Sequence, residues 1–125
     1  MKGLTLDAGA LIGLDNQSAR MHALLDTARA EGLQVRIPAP VLAQVFRDGR
    51  RQAALSRLIK LRLTEVVPFE QHEARAAGVL LGLSDRSDVV DAAVVVCARR
   101  HHDTVVTSDP ADMTALDPSL RLMIL

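Results

Sequence analysis

Five aspartates carry the chemistry that this sequence offers: Asp7, Asp88, Asp91, Asp109 and Asp112. Asp7 ends a first apolar run, and Asp109 lies just past a later one, with Asp112 three residues beyond it. Asp88 and Asp91 begin a long apolar segment that feeds that later run. Carboxylates within about 4–6 Å of one another repel, and each raises the others' pKa unless a cation compensates. Oxygen-only ligands favour a hard divalent ion, Mg²⁺ or Mn²⁺. Such an ion polarises a phosphodiester and lowers the pKa of a bound water, so that hydroxide attacks phosphorus.

The same acids have structural uses. Asp109-Pro110 reads as a helix start, with Asp109 as N-cap, Pro110 as first helical residue and Asp112 favoured by the helix dipole. Asp88 fits as a cap of its own segment, with Asp91 in the first turn. Asp7 is different, because it interrupts Leu4, Leu6, Ala8, Ala10, Leu11 and Ile12, which should be buried. An unpaired buried carboxylate costs several kcal/mol, so Asp7 needs a partner. Either a cation or a backbone nest at Gly9 and Ala10 would satisfy it.

The elements that must position these acids follow from periodicity. Strands are expected at Leu4 to Leu6, Val35 to Pro38, Thr64 to Val67, Thr104 to Thr107 and Leu120 to Ile124. Helices are expected at Ser18 to Ala30, Pro40 to about Phe46, Gln52 to Leu61, Glu70 to Leu81, Asp88 to Arg100 and Pro110 to Leu116. Strands alternating with helices of this length indicate an α/β fold, a parallel sheet covered on both faces. Ligands in such sheets gather beyond the carboxyl ends of the strands, where strand order reverses. If the first and fourth strands are neighbours, the acids converge on one crevice.

With 125 residues, 13.5 kDa and 49% apolar residues, the chain suits one domain over 1–125 with a real core. No run reaches the roughly 18 apolar residues of a membrane span, and the first residues lack a signal peptide's pattern, so a cytoplasmic protein is expected. Cys97 is the single cysteine, which excludes a disulfide scaffold and a cysteine-based zinc site. Net charge is zero, but the basic residues are 13 Arg to 2 Lys, and Arg is the side chain of bidentate phosphate contact. With no Trp or Tyr and two Phe, base stacking on an aromatic sheet is disfavoured.

Arg47, Arg50, Arg51, Arg57, Lys60 and Arg62 form a basic stretch opposed only by Asp48. It suits an RNA backbone, a solvated face or an acidic partner. Arg99-Arg100-His101-His102 suits a helix C-terminus. Other α/β chemistries fit worse. A receiver domain needs a lysine near the last strand, where neither Lys2 nor Lys60 stands. A haloacid-dehalogenase-type phosphatase needs a second Asp where Gly9 stands, and no phosphate-binding glycine loop or nucleophile elbow appears.

Taken together, Asp7-Ala8-Gly9-Ala10-Leu11-Ile12, the Ile37 to Val45 segment, Asp88-Val89-Val90-Asp91-Ala92 and Thr107-Ser108-Asp109-Pro110-Ala111-Asp112 resemble the PIN domain. More narrowly they resemble VapC-type toxins of bacterial toxin–antitoxin pairs. The resemblance implies a three-layer α/β/α fold with a central parallel sheet of four to five strands. It also implies a Mg²⁺- or Mn²⁺-dependent endoribonuclease, a hydrolase whose acidic quartet falls on Asp7, position 44, Asp91 and Asp109. Asp7, Asp91 and Asp109 would carry metal, Asp88 and Asp112 would assist, and Thr107 and Ser108 would orient the acids or the loop. Arg47, Arg50 and Arg51 would then contact substrate.

A homodimer and a small cognate antitoxin covering the cleft are implied too. The departure is Gln44, where the family usually has Glu. An amide keeps one oxygen acceptor but removes a charge. That leaves open activity with a weak ligand, compensation by Asp88 or Asp112, or a catalytically silent binding module. Asp48, one helical turn after Gln44, shares its face and either reaches toward the cleft or is a solvated surface acid.

Overall fold

The computed structural model describes residues 3–125. Its centre is an all-parallel sheet of five strands: β1 (Leu4–Leu6), β2 (Val35–Pro38), β3 (Thr64–Val67), β4 (Thr104–Thr107) and β5 (Leu122–Ile124). Strand order is β3-β2-β1-β4-β5. The chain therefore builds outward from β1 in one direction, then crosses back to place β4 on β1's other side. This reversal between β1 and β4 is where α/β sheets open a crevice at their carboxyl ends. Leu6 of β1 stands beside Val106 of β4. The central strands are covered on both faces, and Leu6, Val105 and Val106 are fully buried. Edge strand β5 leaves Met123 and Ile124 exposed.

Seven helices cover the sheet: α1 (Ala8–Asp15), α2 (Ala19–Ala30), α3 (Ala39–Val45), α4 (Ala53–Ile59), α5 (Gln71–Ser84), α6 (Val89–His101) and α7 (Pro110–Leu116). Helices α1, α2 and α4 form one layer and α5, α6 and α7 the other, while α3 touches both α1 and α6. The result is a three-layer α/β/α sandwich. Two helices differ from the expected pattern. The apolar run after Asp7 is a helix, α1, whose buried residues Ala10, Leu11 and Leu14 recur at helical spacing. Helix α5 runs three residues past Leu81, to a left-handed cap at Asp85.

The end of the sheet opposite the acids is closed by a buried ion pair. Asp103 accepts from the Gly3 N–H (2.9 Å), the Thr5 hydroxyl (2.8 Å) and Arg36 Nη1 (2.8 Å). This knot ties the starts of β1, β2 and β4 together, leaving their other ends free for chemistry.

Candidate active site

Asp7 follows β1 directly, and its N–H donates to the Val106 carbonyl of β4 at 3.1 Å. It also caps α1: one carboxylate oxygen, Oδ1, accepts the Ala10 N–H at 2.8 Å. Its surface is only 3% exposed. Burial pushes its carboxyl above the usual carboxylate range. Bonds from the Thr107 hydroxyl and from the Ala10 and Gly9 N–H groups pull it back, and the Asp109 charge pushes it up again. The Thr107 hydroxyl also accepts the Asp109 N–H at 2.9 Å, so one side chain ties the acids at the ends of two neighbouring strands. A Cβ at Gly9 would stand 1.9 Å from Ser108 Oγ, which shows how closely α1 approaches the β4–α7 loop.

Helix α6 brings the second pair. Asp88 is its N-cap and accepts the Asp91 N–H at 3.0 Å. The Asp91 carboxyl is pushed up to about 6, first by burial and then by the charges of Asp88, Asp112, Asp7 and Asp109. The other four aspartates therefore all lie near enough to act on Asp91. A cavity of about 180 Å³ is lined by Arg86, Ser87, Asp88, Asp91, Asp112 and Leu116. Asp109 occupies the N-cap position of α7, but its side chain makes no capping bond. Asp112 meets Arg86 at 3.6 Å, with both side chains about half exposed. Among the described residues, it alone of the five has an ion pair.

A hard divalent cation fits this donor set. The ligands on offer are oxygens, their charges are largely uncompensated, and Asp88 commits one oxygen to a helix cap and keeps the second. The tightest trio of ligand groups among the described residues lies elsewhere, at Glu70, His72 and Glu73, all within 4.8 Å. That trio already has its cation, since Arg100 donates to Glu73 at 2.9 Å and lies 3.1 Å from His72.

The structure distributes the remaining candidates unevenly. Gln44 is exposed on α3, the helix that touches both α1 and α6. Asp48 does not share its face, because α3 ends at Val45 and Phe46 is extended. Asp48 instead organises a loop, accepting the Arg50 N–H at 3.0 Å and lying beside Arg50 and Arg51. Arg47 Nη1 donates to the Ala43 and Phe46 carbonyls, closing α3. None of Arg47, Arg50 and Arg51 lines the acidic cavity, whereas Arg86 and Ser87 do. Sequence reading passed over that pair, although both stand within two residues of Asp88. Arg99 and Arg100 do more than complement a helix end: Arg99 holds Asp117 at 2.7 Å and Arg100 holds Glu73.

Comparison with known proteins identifies the fold and the family. Solved structures with the same fold include VapBC2 from Rickettsia felis bound to a promoter DNA fragment (17% identity, TM-score 0.76, covering 98% of each chain). They also include DNA-bound VapBC from Salmonella typhimurium (15% identity, TM-score 0.76, covering 99% of this chain and 98% of that one). FitAcB from Neisseria gonorrhoeae is similar as well (19% identity, TM-score 0.67, 96% of each chain). No curated protein matches the sequence significantly. The family model described as PIN domain matches residues 4–116, a stretch that holds β1, β4 and all five aspartates, and the chain belongs to the PIN-domain family.

Proposed function

We propose that this protein is the toxin of a toxin–antitoxin pair, an endoribonuclease that hydrolyses RNA phosphodiesters with Mg²⁺ or Mn²⁺. The observation that carries the reading is the acidic crevice beside the β1/β4 switch point: Asp88, Asp91 and Asp112 line one cavity, Asp7 and Asp109 follow the adjacent strands, and Asp91 is pushed up to about 6. Carboxylates are not gathered this way for stability, since each one added costs the others free energy.

Asp7, Asp91 and Asp109 would hold the ion, with Asp88 and Asp112 completing the acidic wall. The ion, when bound, supplies Lewis acidity toward the phosphodiester and lowers the pKa of water. The chain's own residues do the positioning. The Thr107 hydroxyl links Asp7 to the backbone of Asp109, Ser108 packs on the first turn of α1, and the Asp88 cap fixes where Asp91 starts. Gln44 would offer an oxygen without charge, and Arg47, Arg50 and Arg51 would meet the RNA backbone outside the cavity. Replacing Asp7 or Asp91 with Asn is expected to abolish RNA cleavage and growth inhibition while preserving the circular-dichroism spectrum. Undiminished cleavage would defeat the assignment.

The exposed amide at Gln44 favours a second reading, a catalytically silent PIN module that serves complex assembly. Calorimetric Mn²⁺ titration of the wild type and of Gln44→Glu separates the two. Binding by the wild type supports the nuclease, and no binding in both supports the silent module.

The antitoxin partner is inferred from the relatives, which are toxin–antitoxin complexes. A groove between α2 and α4 supports it. Two adjoining hollows there, of about 310 and 230 Å³, share Leu25, Leu58 and Leu61 and are rimmed by Arg29, Arg57 and Arg62. That surface suits an apolar partner segment carrying acidic residues. A homodimer is supported by α5, which exposes Val79 at 63% and Leu83 at 83%. Leu83→Glu is expected to halve the mass seen by light scattering, and an unchanged mass removes α5 as the interface.

A further inference from the structure

We infer that Arg86 is a substrate-contacting residue, whose guanidinium grips a phosphate of the RNA chain at the mouth of the acid-walled cavity. The inference rests on the nuclease reading above and adds the group that lets a polyanion approach.

Five clustered carboxylates repel RNA, and one divalent ion leaves the cluster net negative. A cation at the cavity itself is therefore needed, and Arg86 lines it together with Asp88, Asp91 and Asp112. The way this arginine is held sets it apart. Arg36 and Arg99 lie 2.8 and 2.7 Å from carboxylates that are 0% and 6% exposed, so both are committed to the fold. Arg86 lies 3.6 Å from Asp112, beyond a hydrogen bond, with the two side chains 47% and 50% exposed. An exposed pair at that separation contributes little, and a competing anion displaces it at low cost.

The backbone is fixed even though the side chain is loosely held. The Arg86 N–H donates to the Leu81 carbonyl at 3.0 Å, completing the end of α5 after the left-handed residue Asp85. The planar fork of the guanidinium matches two phosphate oxygens, a geometry that lysine lacks. Arg47, by contrast, spends Nη1 on two carbonyls.

The test combines cleavage kinetics with metal binding. Arg86→Ala is expected to raise KM for a short RNA about 10- to 100-fold, the loss expected for one charge-assisted hydrogen bond, with a smaller change in kcat. The slope of log affinity against log salt should fall by about one, and Arg86→Lys should recover part of the affinity. Mn²⁺ affinity without RNA should stay the same or tighten, because a neighbouring positive charge is gone. Where the wild type cleaves RNA, an unchanged KM and salt slope in Arg86→Ala would overturn the inference alone, as would a loss of Mn²⁺ affinity that matches the rise in KM. A wild type that neither binds nor cleaves RNA removes the nuclease reading and this inference with it.

Discussion

Replacing Asp91 with Asn should stabilise the metal-free protein at neutral pH, the opposite of what most substitutions at a half-buried position do. The Asp91 carboxyl moves from 3.8 to about 6 on folding. At about 1.36 kcal/mol per unit, that shift is worth at most about 3 kcal/mol. The side chain is partly open to solvent, so screening reduces this to about 1–1.5 kcal/mol. Because the folded pKa is raised, the contribution is fully present below about pH 4 and is lost as pH climbs through about 6. In EDTA, the wild type should therefore lose ground to Asp91→Asn between pH 4 and 6, and at pH 7 the variant should melt about 4–7 °C higher. Saturating Mn²⁺ should invert the order, since a ligand at 100 times its Kd adds about 2.7 kcal/mol to the form that binds it. Thermal melts followed by circular dichroism, across pH with and without Mn²⁺, read all of this. A variant less stable than the wild type in EDTA at pH 7, or equal melting shifts with Mn²⁺, would show that the carboxylates do not meet.

Three further substitutions probe the frame. Asp103→Ala removes the acceptor shared by Gly3, Thr5 and Arg36 and strands a guanidinium, so urea unfolding should show a loss of about 3–5 kcal/mol; less than about 1 kcal/mol would mean that the knot does not hold the strand starts. Gly9→Ala should cost about 1–3 kcal/mol by pressing on Ser108, and Ser108→Ala should recover only part of it, because the added Cβ also stands 3.0 Å from the Ser108 Cβ; simple additivity of the two changes would contradict the close approach. Gln52→Ala should cost about 2 kcal/mol, since the buried amide accepts from the Arg47 and Asp48 N–H groups and donates to Asp15 and the Val45 carbonyl; unchanged denaturant midpoints would show that water replaces it.

Strands β1 to β4 and most helices were legible because apolar period and cap chemistry agree there. Ser18 begins α2 by accepting the Met21 N–H at 3.2 Å, and Pro110 begins α7. Helix α1 was hidden because Ala8 to Leu14 is apolar almost throughout, so no polar stripe marks a period. Its burial between β4 and helices α2, α3 and α4 is a tertiary fact that a one-dimensional pattern does not carry. Asp48 was misplaced because it was given helical spacing from Gln44 although the helix stops before it, at Val45. Phe46 turns extended, and the chain is held instead by Gln52, six residues on, whose amide gathers the loop. The family of acids was legible from strand ends, but Arg86 was not, since a single arginine before a helix cap looks like any solvated residue until Asp112 is seen across the cavity.

Capping and metal holding look like rival uses of one carboxylate in a sequence, but the structure makes them compatible. A carboxylate has two oxygens, and a cap needs one. Asp88 gives Oδ1 to Asp91 and keeps the other oxygen, while Asp7 accepts from Ala10, Gly9 and Thr107 and still has one of its about four lone-pair sites. The cap also aims each acid, because the helix it closes is packed on the sheet. Helices α1 and α7 start at the carboxyl ends of the adjacent strands β1 and β4, and α6 starts beside them, so three helix N-termini face one crevice. Their partial positive charges temper the repulsion among the acids before any cation arrives. The temper is incomplete, as the raised pKa of Asp91 in the first turn of α6 records. What the helix ends leave uncompensated would drive the binding of a divalent ion. On this argument, lengthening the distance between any one of these N-termini and the others should weaken metal affinity even where every aspartate is retained.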